Sequence, residues 1–572
     1  MRKNDTAHVE SLDAKARTLR SGAVSIFASL LLVTAISLGV TACASATRPQ
    51  AAPSDQSRAK AEESAPTSQP KSAGAAAPSP MLVREVRSSP APVSSAAAAT
   101  SATATGSEGA ASGGAGAANE EYAAIVENTF KKTSEDGVST FGVDVDTASY
   151  ANVRRYLKGG SLPPPDAVRI EEIVNYFDYG WKAPATGAPI AVTTETADCP
   201  WTRGNRLLAI GLRTRGVSAD NLPPANLVFL VDTSGSMGEP DKLPLVKRAF
   251  SLLAETMRAQ DRVALVAYAG SAGLVLPPTQ GSDKAKILAA LEELGAGGST
   301  AGGQGIALAY ETALAGFRKG GNNRVILATD GDFNVGPSSE EALVKLVESY
   351  RDKGVFLSII GVGTGNLKDS RMKAIAGKGN GNYGYVDTIA EARRMLVEEM
   401  GATLLTVAKD VKLQVEFDPA VVESWRLIGY ESRILAAEDF ADDKKDSGEM
   451  GAGHRVTALY EIEPSQTASA PTATAPGRLR LRYKKPDAAE SELMEFVLSG
   501  GGGSLATASE DLRFASAAAA YGMLLKGSRY KGRADWPMVL ELAKGASAKD
   551  QSGRRAEFIA LAEKAASLSK KQ

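Results

Sequence analysis

Between residues 226 and 404 the chain alternates short, unbroken apolar runs with longer stretches of helical period. The runs read "NLVFLVD", "RVALVAYA", "NRVILATD" and "VFLSIIGVG". A run that is apolar at every position has no wet face, so each reads as a strand covered on both sides of a sheet. Helical spacing of apolar residues falls between them, at about 241–258, 283–294, 303–317 and 339–352. A last helix, about 389–404, passes directly into the next strand-like run. Such alternation folds as a doubly wound α/β sheet with helices on both faces. Ligands of these sheets bind beyond the carboxyl ends of the strands, near the point where strand order reverses. Asp232 and Asp330 close two of the runs and fall at those ends.

The period changes on both sides of this unit. Ahead of it, helical stretches at about 147–158 and 166–178 precede "PIAVTTETAD" and "RLLAIGLRTR", which alternate in parts with period two. Behind it, "KDVKLQVEFD", "WRLIGYE", "HRVTALYEIEP", "RLRLRYKKP" and "ELMEFVLS" read as antiparallel strands. Residues 510–570 are Ala-rich and helical, with breaks near Gly527–Gly532 and Gly545. Strands on both sides predict that 186–222 pairs with 405–500 in one β-sandwich, with the α/β unit inserted in it or flanked by it. The expected divisions are an N-terminal region 119–222, the α/β domain 223–404, a β-rich domain 405–505 and a helical segment 506–572.

The first 118 residues have a different character. "AVSIFASLLLVTAISLGV", residues 23–40, follows a basic stretch and leads through Thr41 and Ala42 to Cys43. Small residues before a cysteine resemble the bacterial lipobox, which implies a signal peptide over 1–42 and a lipidated Cys43. Ala44 rather than Asp after the cysteine implies sorting to the outer membrane. Residues 44–118 are Ala, Ser, Pro, Gly and Thr with few large apolar side chains, too few to offset the entropy of ordering. They form a tether with a typical reach of roughly 50 Å. The expected location is therefore the bacterial envelope, with membrane contact only through the lipid.

Composition narrows the chemistry. Lys and Arg number 65 against 66 Asp and Glu, a net charge of −1, which gives no electrostatic reason to expect nucleic acid. Two histidines, His8 and His454, leave little for imidazole catalysis. If Cys43 carries lipid, Cys199 has no intrachain partner.

Oxygen ligands are better supplied. Asp232, Ser234 and Ser236 form D-x-S-x-S after a buried strand. Thr300 lies in "LGAGGSTAGGQG", a Gly-rich loop before a helix, and Asp330 ends the run "NRVILATD". Together they resemble the metal-ion-dependent adhesion site of the von Willebrand factor type A (VWA) domain. The resemblance implies a Rossmann-like VWA fold and Mg2+ held by Asp232, Ser234, Ser236, Thr300 and Asp330, with Mn2+ or Ca2+ able to use the same oxygens. It also implies a protein partner that completes the metal's shell with an Asp or Glu side chain. "STFGVDVDTASYANVRRYLKGGSLPPPDAVRIEEIVNYF", "CPWTRGNRLLAIGLR" and the section from "AKDVKLQVEFDP" onward are similar to the regions flanking this domain in a family of bacterial lipoproteins.

Rival motifs are weaker. "SGSMG" is one residue short of G-x-S-x-G, and a hydrolase using Ser236, Asp330 and His454 needs a histidine that reads as a solvated loop residue outside the α/β unit. "DVDTASY" reads as a helix start with Asp146 or Thr147 as its cap. "DGDFNVGPSSEE" lacks the Gly that an EF-hand loop needs at its sixth position. The expectation is a metal-dependent protein-binding module on the envelope, not an enzyme.

Overall fold

The computed structural model describes residues 120–571, apart from 299–301, 332–339, 400–404, 446, 467–474 and 549. Cys43, Thr300, most of the EF-hand-like stretch and the end of the 389–404 helix therefore lie outside the described residues.

A six-stranded sheet runs in the order Tyr383–Val386, Val355–Val362, Asn322–Thr329, Ala225–Asp232, Arg262–Tyr268, Ala272–Gln280. The first five are parallel and the sixth is an antiparallel edge. Strand Ala225–Asp232 shows why its sequence is apolar throughout. Leu227, Phe229 and Val231 enter one core, closed by helices Leu243–Thr256 and Lys284–Glu292. Val228 and Leu230 enter the other, closed by Gly302–Ala315, Glu340–Arg351 and Asp369–Lys378. Each large apolar side chain so buried contributes about 1.5–3 kcal/mol. From Ala225–Asp232 the chain goes first to Arg262–Tyr268 on one side and later to Asn322–Thr329 on the other. Strand order reverses between the first and the last of these, and their carboxyl ends lead into Asp232 and Asp330.

Two antiparallel sheets form the sandwich. One has the order Lys131–Lys132, Val422–Ile428, Arg455–Pro464, Arg206–Thr214, Ile190–Asp198. The other runs Ile434–Leu435, Val138–Gly142, Thr406–Phe417, Gly477–Lys484, Ser491–Val497, with Met450–Gly451 paired to the start of Thr406–Phe417. Leu208, Ile210 and Tyr460 of the first meet Phe141, Leu413 and Leu479 of the second in one core. Strands of both sheets occur before and after the α/β unit, which is therefore an insertion in the sandwich. C-terminal helices Glu510–Lys526, Trp536–Lys544 and Arg554–Ser569 share a core of Tyr150, Ile173, Phe177, Phe514, Tyr521 and Phe558 with helices Ala148–Lys158 and Ile170–Asn175.

Several elements differ from expectation. The 166–178 helix is a single turn Pro165–Ala167, extended Val168 and Arg169, then Ile170–Asn175. Arg169 leaves helical geometry to bridge Glu172 and Asp369. The last α/β helix is α-helical over Ile389–Arg393 and widens to a π-turn over Arg394–Glu398, where Arg394 reaches Glu391, Glu399 and Thr147. Thr147 does sit at the N-cap of Ala148–Lys158, but its hydroxyl accepts from Arg394, while Asp146 accepts from the Tyr383 N–H. Strands Ala272–Gln280 and Tyr383–Val386 and helix Asp369–Lys378 occur where no element is expected. Pro277 and Pro278 disguise the first, and an edge strand tolerates prolines because half its N–H groups need no partner.

Candidate metal centre

Asp232 is fully buried and Asp330 is 1% exposed. Past Asp232 the backbone folds back at once, and the Ser234 N–H donates to Asp232 Oδ1 at 2.9 Å. The other carboxylate oxygen, Oδ2, accepts from the hydroxyls of Tyr268 at 3.1 Å and Thr329 at 3.0 Å. These bonds fix the carboxylate from two neighbouring strands. Ser234 Oγ and Ser236 Oγ lie 3.2 Å apart at the start of the turn Gly235–Gly238. Burial pushes the Asp232 carboxyl above its ordinary range; the hydrogen bonds from Ser234 and Thr329 oppose this, and the nearby Asp330 charge adds to it.

The Gly-rich loop is stitched to this turn. Gly297 N–H donates to Thr233 O at 2.8 Å, and Gly235 N–H donates to Gly298 O at 3.1 Å. Gly298 adopts φ +86°, the left-handed region that glycine enters without a side-chain clash. Lys242, at the start of helix Leu243–Thr256, places Nζ 2.9 Å from Asp330 Oδ2.

Asp232, Ser234, Ser236 and Asp330 are thus brought to one end of the sheet. Lys242, Tyr268 and Thr329 belong to the same cluster and fall outside the D-x-S-x-S pattern. Thr329 was signalled only by standing next to Asp330, and Tyr268 only by ending the adjacent strand. Two carboxylates among hydroxyls are hard oxygen donors of the kind that suits Mg2+, Mn2+ or Ca2+. Among the described residues no group of three or more His, Cys, Asp or Glu is placed to hold a metal ion.

His454 is elsewhere. It precedes strand Arg455–Pro464 and is half-buried rather than solvated, because the turn faces a cavity of about 1380 Å³. Asp144, Arg169, Glu171 and Arg433 line that cavity with it, while Asp232, Ser236 and Asp330 do not. Burial lowers its imidazole pKa, and its charged neighbour is Asp144. Ser236, Asp330 and His454 do not form a triad.

The von Willebrand factor type A domain profile matches residues 226–397, a von Willebrand factor profile matches 116–209, and one described as "Uncharacterized protein YfbK, C-terminal" matches 402–568. "Uncharacterized protein YfbK" of Escherichia coli (strain K12) is 44% identical over 464 residues, covering 77% of this chain and 80% of that protein. The chain belongs to the YfbK family of bacterial VWA-domain proteins. "Uncharacterized protein sll0103" of Synechocystis sp. is 26% identical over 314 residues, covering 53% of this chain and 72% of that one. Among solved structures, the von Willebrand factor type A protein from Catenulispora acidiphila is 17% identical, covers 63% of this chain and 88% of its own, and has a TM-score of 0.36. VWA domains are generally protein-interaction modules, typically without enzymatic activity, and often bind a divalent metal.

Proposed function

We propose that this YfbK-family protein is a metal-dependent binding module, tethered to the bacterial outer membrane through lipidated Cys43. Asp232, Ser234, Ser236, Thr300 and Asp330 would hold Mg2+, and the partner is a protein that presents an Asp or Glu side chain. When bound, the ion supplies an electrophilic position for that carboxylate. The observation that carries the reading is the convergence of Asp232, Ser234, Ser236 and Asp330 at the point where strand order reverses. The protein's own contribution is positioning. Tyr268, Thr329 and the Ser234 N–H hold Asp232 in one orientation, and the bonds of Gly297 and Gly298 tie the described part of the Gly-rich loop to the turn.

The test is capture of envelope proteins by crosslinking, comparing wild type with Asp232→Ala and with wild type in EDTA. The expected result is a partner lost in both. A partner retained in both removes the metal from the mechanism. Cys43→Ser should leave an unlipidated precursor that no longer cofractionates with outer membranes, and unchanged fractionation rejects the lipid anchor.

A further inference from the structure

Lys242 brings a positive charge into the oxygen cluster. Its side chain is 8% exposed, that of Asp330 1%, and the two meet at 2.9 Å. The lysine stem lies in a slot over Gly363, where an added methyl group would come within 2.4, 2.5 and 2.8 Å of its Cγ, Cε and Cδ. Gly363 adopts φ +74°, and the Tyr385 hydroxyl holds its carbonyl at 2.7 Å. The chain thus builds a channel for this side chain and aims it at a carboxylate of the cluster.

We propose that Lys242 is a built-in counter-cation of the metal site, offsetting Asp330 before the divalent ion binds and leaving the loaded site positive toward an incoming carboxylate. The proposal rests on the metal-dependent reading above and deepens it. With Asp232, Asp330 and Lys242 present, a divalent ion turns one net negative charge into one net positive charge. Without the lysine, two negative charges would become none. At separations of a few ångströms in a partly buried site, that difference is worth about tenfold or more in affinity. Lys242 therefore weakens binding of the ion alone and strengthens capture of an anion by the loaded site. Ion and carboxylate reinforce each other with or without the lysine, by linkage each tightening the other by the same factor, and Lys242 shifts the balance from the ion's own affinity toward that of the anion.

The experiment titrates Mn2+ into the full-length protein in detergent, followed by the electron paramagnetic resonance signal of free Mn2+. Wild type, Lys242→Met and Lys242→Arg are compared, with Lys242→Gln as a second charge-free variant. Acetate is then added to each Mn2+-loaded protein and followed by water-proton relaxation. The expected result is Mn2+ bound about tenfold tighter or more by Lys242→Met and Lys242→Gln, near wild-type affinity in Lys242→Arg, and weaker acetate binding in the charge-free variants. Mn2+ bound only by the charge-free variants also supports the proposal. Wild type that binds Mn2+ as tightly as, or more tightly than, the charge-free variants overturns the counter-cation while leaving the metal site standing. Absence of Mn2+ binding in every variant removes the metal reading, and the counter-cation with it.

Discussion

Arg154→Met should cost about 3–5 kcal/mol of stability, the usual effect of stranding a buried charge. Arg154, on helix Ala148–Lys158, is 3% exposed and binds both oxygens of Asp387 and one of Glu391 at 2.8 Å. It also donates to Tyr176 Oη and reaches Glu557 of the last helix. The loss falls mainly on Asp387, whose side chain is 6% exposed and keeps only the Thr388 hydroxyl at 3.3 Å among the described hydrogen bonds. Glu391 retains Arg394. Replacing both members, as Arg154→Met with Asp387→Leu, should recover most of the loss, because an apolar pair in place of a buried ion pair is often close to neutral. Urea unfolding read by tryptophan fluorescence gives the size, and amide exchange over 389–398 gives the place. A single-variant loss below about 1 kcal/mol, or a double variant no better than the single, would refute this account of the clamp.

Three further outcomes follow from ionisable groups shielded from water. Burial raises Glu391, but the charges of Arg394 and Arg154 overcome it and hold the carboxyl at about 2, so its contribution is present above pH 4.5 and is lost as pH falls toward 2. Glu431 is opposite in sign: burial, with Glu171 beside it, pushes it to about 7, so its contribution is lost as pH rises through 7. Glu431→Gln should therefore raise the melting temperature at pH 8 and leave it nearly unchanged at pH 4, and equal effects at both would contradict the assignment. Cys199 is 3% exposed, and burial, aided by Glu461, pushes its thiol to about 12. In the Cys43→Ser protein it should resist a thiol-directed disulfide reagent until urea unfolds the chain, and rapid labelling of the native state would contradict its burial.

What could be read from the sequence follows from the range of the interactions. Strand Ala225–Asp232 was legible because burial on both faces writes itself into every residue of the run. The D-x-S-x-S turn was legible because three of its oxygens are local and lie on one loop. Strand Ala272–Gln280 was hidden because its edge position, which excuses Pro277 and Pro278, is a property of the sheet and not of the segment. Lys242 was hidden for the same reason, since it meets Asp330 across 88 positions of chain. The clamp between Arg154 and Asp387 spans 233. No window of the sequence contains such a contact.

Those two long-range contacts are linked by a short chain of touching groups. The Lys242 stem lies over Gly363, the Gly363 carbonyl is held by Tyr385, and Tyr385 stands two residues before Asp387 in the chain. Arg155, next to Arg154, lies over the Tyr385 ring with its guanidinium carbon 5.3 Å from the centroid. Proximity alone does not establish coupling, which requires an element with two arrangements that both ends bias. The last helix of the α/β domain is the candidate element, and the buried bridges of Arg154 and Arg394 make its present arrangement discrete and costly to leave. If occupation of the oxygen cluster shifts the Lys242 stem within its slot while its charge stays in the site, the strain reaches Asp387 through Gly363 and Tyr385, and loosening Arg154 should relieve it. Arg154→Met should then tighten Mn2+ binding by a few-fold in the folded protein, and Mn2+ should in turn reduce the stability cost of that substitution by the same factor. Mn2+ affinity that is identical in wild type and Arg154→Met, with both proteins folded at the assay temperature, would make the clamp a static brace.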